Sequence, residues 1–491
     1  MPVDVYCLTD ALHANALRCG NDRALIWISP ADPNHARSVT WSELNRWVGA
    51  LARRLVETTS IRFADDGETE HRRISHAVEN HSDDVLMALA CQAAGIVEFP
   101  IDASGGQPYV QACRNRADAD WIDQSSKHQL VCQAWEHRDC GDVSLGTPTA
   151  IAPQRDALVL WTSGTTGEPN GVVLSHASLL CNAQAKLSAV PQTREDRRLT
   201  VLSIAHAYAR TCDLGTWLLS GCELAIARGY EGWTALAETY QPTHCNSVPS
   251  LASRILHDGP LPDSLRVLGC GGAALAAADF EAWRQRDVAV VQGYGLTESG
   301  PVISSQTPAD CIAGFAGRLV SGWEHRIEQD RLWVRGAHQM SRYWMDPHST
   351  KQRIDAQDWL DTGDLVRICD DSGQLQILGR SDDRLVLSNG YKVDPMCIEK
   401  RLQSILGVRT AVITINPDGR SVDAWFEMQD AGASPPSTGA ILSTHPSWEQ
   451  PRQLRTFTIP PQDRESLFNR KGSIRRQPML RFLSHIAQSQ S

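Results

Sequence analysis

Apolar residues recur along this chain in two alternating periods. Leu44, Val48, Leu51, Ala52 and Leu55 repeat at helical spacing after Val39-Thr40-Trp41-Ser42-Glu43. That pattern predicts a strand end running into a helix with one core face, Ser42 being its cap. Residues 83–94 predict a second helix and residues 95–100 a strand. Short apolar runs at 158–161, 172–174, 201–209, 265–268 and 290–291 have the length of buried strands. Alternating helix and strand signals predict an α/β fold, here a large multi-layer N-terminal domain. Residues 103–150 are hydrophilic and keep neither period, predicting an irregular surface excursion. Past residue 385 the pattern restarts. Residues 387–395 read as a hairpin turning at Asn389-Gly390, and Ile398 and Glu399 open a helix. Residues 431–450 are rich in Pro, Ser and Gly and predict a flexible surface loop.

Composition narrows the class. At 491 residues the chain exceeds one ordinary domain, and 42% hydrophobic with 21% charged residues describes a folded, soluble protein. A net charge of −10 argues against a nucleic-acid partner. No apolar run approaches the ~18 residues of a transmembrane helix. The N-terminus carries an acid and no basic stretch, so no signal peptide is expected and the expected location is cytoplasmic. Fourteen cysteines without a Cys-x-x-Cys pair predict buried free thiols in a reducing compartment rather than disulfides or zinc.

Against that background a few stretches carry chemistry. After the run 158–161 come Thr162, Ser163, Gly164, Thr165, Thr166 and Gly167, six small residues of which four bear hydroxyls. Glycines let successive N–H groups converge and hydroxyls add donors, which makes an anion nest suited to phosphate. Gly271, Gly272 and Ala273 follow an apolar strand, where backbone can approach a flat ring closely. Tyr294-Gly295-Leu296-Thr297-Glu298 gathers an aromatic, a hydroxyl and a carboxylate within five residues. One carboxylate is enough for Mg²⁺, which also takes phosphate oxygens and water. Asp364, placed at a strand edge, is suited to ribose hydroxyls. The chain has only six lysines among 47 basic residues, so Lys471 near the C-terminus stands out.

Together these stretches resemble the AMP-forming adenylating enzymes, which include acyl-CoA synthetases, peptide-synthetase adenylation domains and luciferases. The likeness runs from about residue 39 to 476. It implies a large AMP-binding domain over residues 1–381 and a small mobile α+β domain over 382–491. It also implies ATP, Mg²⁺ and coenzyme A as cofactor and co-substrates, and a small-molecule carboxylic acid as substrate. By resemblance, the 162–167 loop holds the distal phosphates, Thr297 the α-phosphate and Glu298 the metal. Gly271, Gly272, Ala273 and Tyr294 flank the base, while Asp364 and Arg380 contact the nucleotide. His206, read as ending an apolar strand, lines the acyl pocket, Asp382 is the hinge, and Lys471 is the catalytic lysine.

Two departures stand out. Asn170 replaces the lysine usual after the loop proline, and Lys471-Gly472 inverts the usual order. Arg210 is a candidate to replace the missing loop charge. The text around His206 looks most like a fatty acyl-CoA synthetase. Two alternatives stay open. One is an acyl-AMP user that loads a carrier protein or makes O-succinylbenzoyl-CoA. The other is a nucleotide-binding regulatory protein without activity, suggested by Asn170.

Overall fold

The structure, a computed structural model, describes residues 7–29, 32–63, 70–138, 151–163, 169–383, 385–388, 392–393, 395–419, 421–430, 432–442, 449–468, 472 and 474–489. The chain forms two compact units, residues 1–325 with 334–361 and residues 326–333 with 362–491.

The first unit is built on two sheets. One runs in the order Arg318–Leu319, Ser304–Ser305, Ala289–Tyr294, Val267–Cys270, His244–Ser247, Arg197–Thr200, Glu223–Ile226, Arg23–Ser29, Asp32–Thr40. The six strands from Ala289–Tyr294 to Arg23–Ser29 are parallel, as helix-covered sheets of α/β proteins are. The other runs Arg342–Tyr343, Pro169–Ser175, Asp156–Ser163, Ile96–Asp102, Glu70–Val78, Ile61–Phe63. The helix Trp41–Thr58 begins two residues earlier than its expected cap implied. Thr40, not Ser42, accepts from the Glu43 N–H, and Glu43 reaches back to the Thr40 N–H at 2.9 Å. Its buried face carries Leu44, Val48, Leu51, Ala52 and Leu55, as the spacing predicts.

Two expectations are corrected. Residues 107–136 are not irregular: they form helices Gln107–Ala117 and Gln124–Glu136 around a short strand, Asp120–Ile122. Each helix buries only a narrow stripe, Val110, Cys113 and Ala117 in one and Lys127, Val131 and Ala134 in the other. Nor do residues 201–206 form a strand. There the side chain of Asn80 replaces a ladder, accepting from the Ile204 N–H at 2.9 Å and donating to Leu202 O at 2.6 Å. The strand lies just before, at Arg197–Thr200.

The second unit has a three-stranded sheet, Val408–Ile415, Val422–Met428 and Leu454–Phe457. Alternate residues pack on opposite faces, as strand geometry requires. Ala411, Ile413, Ala424 and Phe426 join Ile398 and Leu402 of the helix Pro395–Gln403. Val412 and Trp425 join Met479 and Leu483 of the helix Arg476–Ser489. A four-stranded sheet, ordered Glu324–Glu328, Arg331–Arg335, Leu360–Ile368, Leu375–Arg380 with the last two antiparallel, contributes most of its residues to this unit. Leu360–Ile368 is therefore an inner strand, and Asp364 does not lie at a sheet edge.

Candidate functional site

The residues on either side of the small-residue stretch form a hairpin. Asp156–Ser163 and Pro169–Ser175 pair antiparallel, with Thr162 opposite Asn170 and Ser163 opposite Pro169. The Thr162 hydroxyl donates to Asn170 O at 3.3 Å, closing the hairpin below the loop. Gly164, Thr165, Thr166 and Gly167 lie outside the described residues, as does Lys471. Behind the hairpin, Gly171 permits close packing: a Cβ there would stand 2.9 Å from Trp344 Cβ and 2.8 Å from Val159 Cγ1. The Trp344 N–H donates to Gly171 O at 2.7 Å, and Tyr343 pairs with Val172.

Tyr343 joins this hairpin to the next motif. Its hydroxyl donates to Glu298 Oε1 at 2.7 Å. Burial, and then the Glu298 charge, push the Tyr343 phenol up, so it stays a protonated donor. Glu298 belongs to a single 3₁₀ turn, Thr297–Ser299, which follows the strand Ala289–Tyr294. The turn is braced from behind by neutral groups. Asn182, fully buried, donates to His338 O at 3.0 Å and Ser178 O at 2.9 Å and accepts from the Val302 N–H at 3.0 Å. Thr211 donates to Gly300 O at 3.0 Å, and Ser299 donates to Pro301 O at 2.9 Å. Gly300 has φ +80°, and a Cβ there would stand 2.3 Å from Asn182 Nδ2, so only glycine fits. Thr297 and Glu298 remain half-buried on the open side.

Beside that turn, the parallel neighbour Val267–Cys270 ends in Gly271, Gly272 and Ala273. Tyr208 lies across this strand end. A Cβ on Gly271 would stand 3.0 Å from the Tyr208 ring, and one on Gly269 would stand 1.9 Å from Asn246 Oδ1. Tyr208 donates to Asn246 Oδ1 at 3.3 Å, and Asn246 donates to Asp213 Oδ1 at 2.7 Å. Asp213 is paired with Arg198; burial pushes its carboxyl up against that pairing. His206 is 47% exposed and meets Asp102 Oδ2 through Nε2 at 2.9 Å. Burial raises the Asp102 carboxyl, but hydrogen bonds from His206 and Ser104 outweigh it and hold the group well below the usual carboxylate range.

Arg210 is not available to replace the loop charge. It is buried, donating to Glu98 Oε1 at 2.8 Å and to Ile204 O at 3.0 Å. Glu98 also meets His76 Nε2 at 3.1 Å, so this guanidinium is held in a buried ionic cluster.

In the second unit, Asp364 stands directly opposite Arg380. Arg380 donates to Asp364 Oδ1 at 3.1 Å and to Thr362 O at 3.0 Å. Asp382 falls in the 3₁₀ turn Ser381–Asp383 at the end of that sheet. Sequence reasoning missed Tyr343, Asn182, Thr211 and Tyr208. Tyr208 lies two residues from a histidine that drew attention, but the other three act only through tertiary contact.

One carboxylate on a braced turn, with a glycine-ended strand beside it, is thus tied through Tyr343 to the hairpin of an α/β unit. A profile described as AMP-binding enzyme matches residues 12–344, and the chain belongs to that family. A methyl-dioxo-octahydroindenyl propanoyl:CoA ligase of Rhodococcus jostii (strain RHA1) is 32% identical over 282 residues, which are 55% of this chain and 54% of that protein. The chain thus matches about half the length of that relative. A feruloyl-CoA synthase of Amycolatopsis sp is 26% identical, covering 81% of this chain and 84% of its own. The fold is shared with an anthranilate CoA ligase solved with anthranoyl-AMP, at TM-score 0.77 and 19% identity, over 100% of this chain and 99% of that one. The family relatives are named as acid–thiol ligases. Among the described residues no helix is long and apolar enough to cross a membrane.

Mg²⁺ fits the carboxylate present. No cluster of three or more metal-ligating side chains occurs among the described residues, so an ion here would rely on one protein oxygen and phosphate. Glu298 offers that oxygen: its Oε1 takes the Tyr343 bond.

Proposed function

We propose that this protein is an AMP-forming CoA ligase that activates a ring-bearing carboxylic acid. The observation that carries the reading is the Tyr343–Glu298 contact, which links the strand after the phosphate loop to the Thr297–Glu298 turn. Attack of the substrate carboxylate on the α-phosphorus of ATP expels pyrophosphate and places negative charge on phosphate oxygens. Preorganised donors aimed at that charge supply most of the catalysis such a step needs. In this reading Thr297 donates to the α-phosphate, Tyr343 orients Glu298, and Mg²⁺, when bound by Glu298, neutralises phosphate charge. The 162–167 loop holds the distal phosphates, Gly271, Gly272, Ala273 and Tyr294 flank the base, and Asp364 with Arg380 takes the ribose side. Lys471 bridges carboxylate and phosphate. Rotation at Asp382, between domains 1–381 and 382–491, then exchanges adenylation for thioester formation with CoA.

The acid is read from two sources. One is the curated relatives, whose names carry feruloyl and indenyl groups, and the other is the structural neighbour, whose name carries anthranilate. The fatty acid suggested by the text around His206 is the competing substrate. ATP–pyrophosphate exchange over aromatic, alicyclic, short and long acids separates them. Exchange strongest with a ring-bearing acid is expected; exchange strongest with long-chain acids replaces that substrate class. Exchange with no acid would favour the non-catalytic nucleotide binder that Asn170 suggests. Product analysis with CoA against a carrier protein fixes the acceptor.

A further inference from the structure

The helix Gln124–Glu136 packs against Trp41–Thr58 and Ser82–Ala94 in the first unit and takes no part in the site described above. Cys132 and His128 lie four residues apart and so share one face of it. Cys132 Sγ lies 3.5 Å from His128 Nε2. The other ring nitrogen, Nδ1, lies 2.8 Å from Asp83 Oδ2 at the start of the neighbouring helix. A carboxylate on Nδ1 fixes the proton there and leaves the Nε2 lone pair facing the sulfur. His81 Nδ1 stands 3.3 Å from the other oxygen of Asp83. Burial raises the Asp83 carboxyl, but hydrogen bonds from His81 and His128 outweigh it, so the group is a stable anion at neutral pH.

Exposure sets this cysteine apart. Cys132 is the exposed cysteine among those described, the others being buried or half-buried. The His128 side chain is 65% exposed, so both reacting groups face solvent. Partial burial, then the carboxylates of Asp83 and Glu136, push the Cys132 thiol up. A thiol that is not ionised in advance reacts faster when a base takes its proton as the sulfur attacks. His128 is placed to be that base.

We propose that Cys132, His128 and Asp83 form a surface thiol–disulfide exchange site that takes small disulfides without net negative charge. Cys132 Sγ attacks one sulfur of the disulfide while its proton passes to His128 Nε2. The sulfur–sulfur bond of the reagent breaks, a new one forms to Cys132, and the departing thiolate takes the proton from His128. One disulfide is consumed and one formed, so no further oxidant is needed. Asp83 holds the ring and balances the imidazolium between the two transfers. The selectivity follows from charge: Asp83 and Glu136 repel an anionic reagent.

The test follows each cysteine of the full-length protein separately by mass spectrometry, using cystamine or oxidised glutathione in excess. Cys369, in the second unit, serves as an internal reference; hydrogen bonds from Ser372 hold its thiol low without any histidine. Cys132 should be modified faster by cystamine than by oxidised glutathione. His128→Gln should slow Cys132 at least about tenfold, a modest value for loss of a general base. Cys369 should be unaffected by that change. Asp83→Asn should slow Cys132 by a smaller factor. An unchanged Cys132 rate in His128→Gln, or no modification of Cys132 in the unaltered protein, overturns the proposal. Faster reaction with oxidised glutathione overturns the charge selection. His128 is exposed, so its replacement leaves folding intact, and an unaltered melting transition verifies that.

Discussion

The two carboxylates assigned to the nucleotide stand in opposite surroundings. Glu298 has one hydrogen-bond donor among the described residues, the neutral phenol of Tyr343, and its turn is braced by Asn182, Thr211 and Ser299. Asp364 faces an arginine directly across the sheet of the second unit. The same phenol also meets Arg353, so Glu298 has a guanidinium one residue removed, whereas Asp364 is paired with one directly. In the reading proposed above, Glu298 would serve the metal and Asp364 the ribose hydroxyls.

Removing the charge at Glu298 should have the largest effect. Glu298→Gln keeps a hydrogen-bond acceptor for Tyr343 but loses the anion. ATP–pyrophosphate exchange should fall by ~10²–10³, the scale of one lost electrostatic contributor. Asp364→Asn, by contrast, should weaken nucleotide binding mainly through the KM for ATP, and exchange at saturating ATP should largely survive.

The neutral bracing can be broken next. Asn182→Leu leaves the Val302 N–H and His338 carbonyl unpaired in a buried place, at about 1–3 kcal/mol for each such group. A fall in melting temperature with weakened exchange is expected. An unchanged melting temperature would mean that the turn holds itself.

The second unit holds a carboxyl whose titration should show in its stability. Glu399 is buried beside Arg476 and accepts from the Ile413 N–H at 2.7 Å; burial pushes its carboxyl up to about 7, against the pull of Arg476. A raised acid pKa means the folded state holds its proton longer than the unfolded chain does. Stability of this unit should therefore fall as pH rises from the ordinary glutamate value near 4.5 to about 7, and level off above. The loss should reach up to about 3 kcal/mol, and Glu399→Gln should flatten it. Thermal melts of both proteins from pH 4.5 to 8 check the slope and its sign. The smallest effect is expected at Tyr343→Phe. Loss of one hydrogen bond to a charged group is worth about 1.5–3 kcal/mol at most. The Mg²⁺ concentration for half-maximal exchange should rise roughly tenfold while the melting temperature changes little.

What the sequence revealed divides along the same line. The short apolar runs that form the strands Val267–Cys270 and Ala289–Tyr294 were legible. The helical stripe Leu44 to Leu55 and the α/β alternation were legible for the same reason, since periodicity is local. Tyr343 and Asn182 were not, because they act on residues 45 and 120 positions away in sequence. Residues 107–136 hid two helices because each buries a single narrow stripe, with even Lys127 inside, its ammonium on Asp84 and Ala77 O. The run 201–206 read as a strand because its apolar residues are buried, but Asn80 takes its backbone bonds. Arg210 seemed free to meet phosphate in a one-dimensional reading; burial against Glu98 removes it.

The central claim is that this chain makes an acyl-adenylate using the charge at Glu298. The most direct measurement mixes the full-length protein with ATP, Mg²⁺ and a ring-bearing acid in the absence of CoA, and detects enzyme-bound acyl-AMP by mass spectrometry after quenching. The account predicts about one equivalent of acyl-AMP with the unaltered protein and far slower accumulation with Glu298→Gln. Equal rates of accumulation in the two proteins would contradict it.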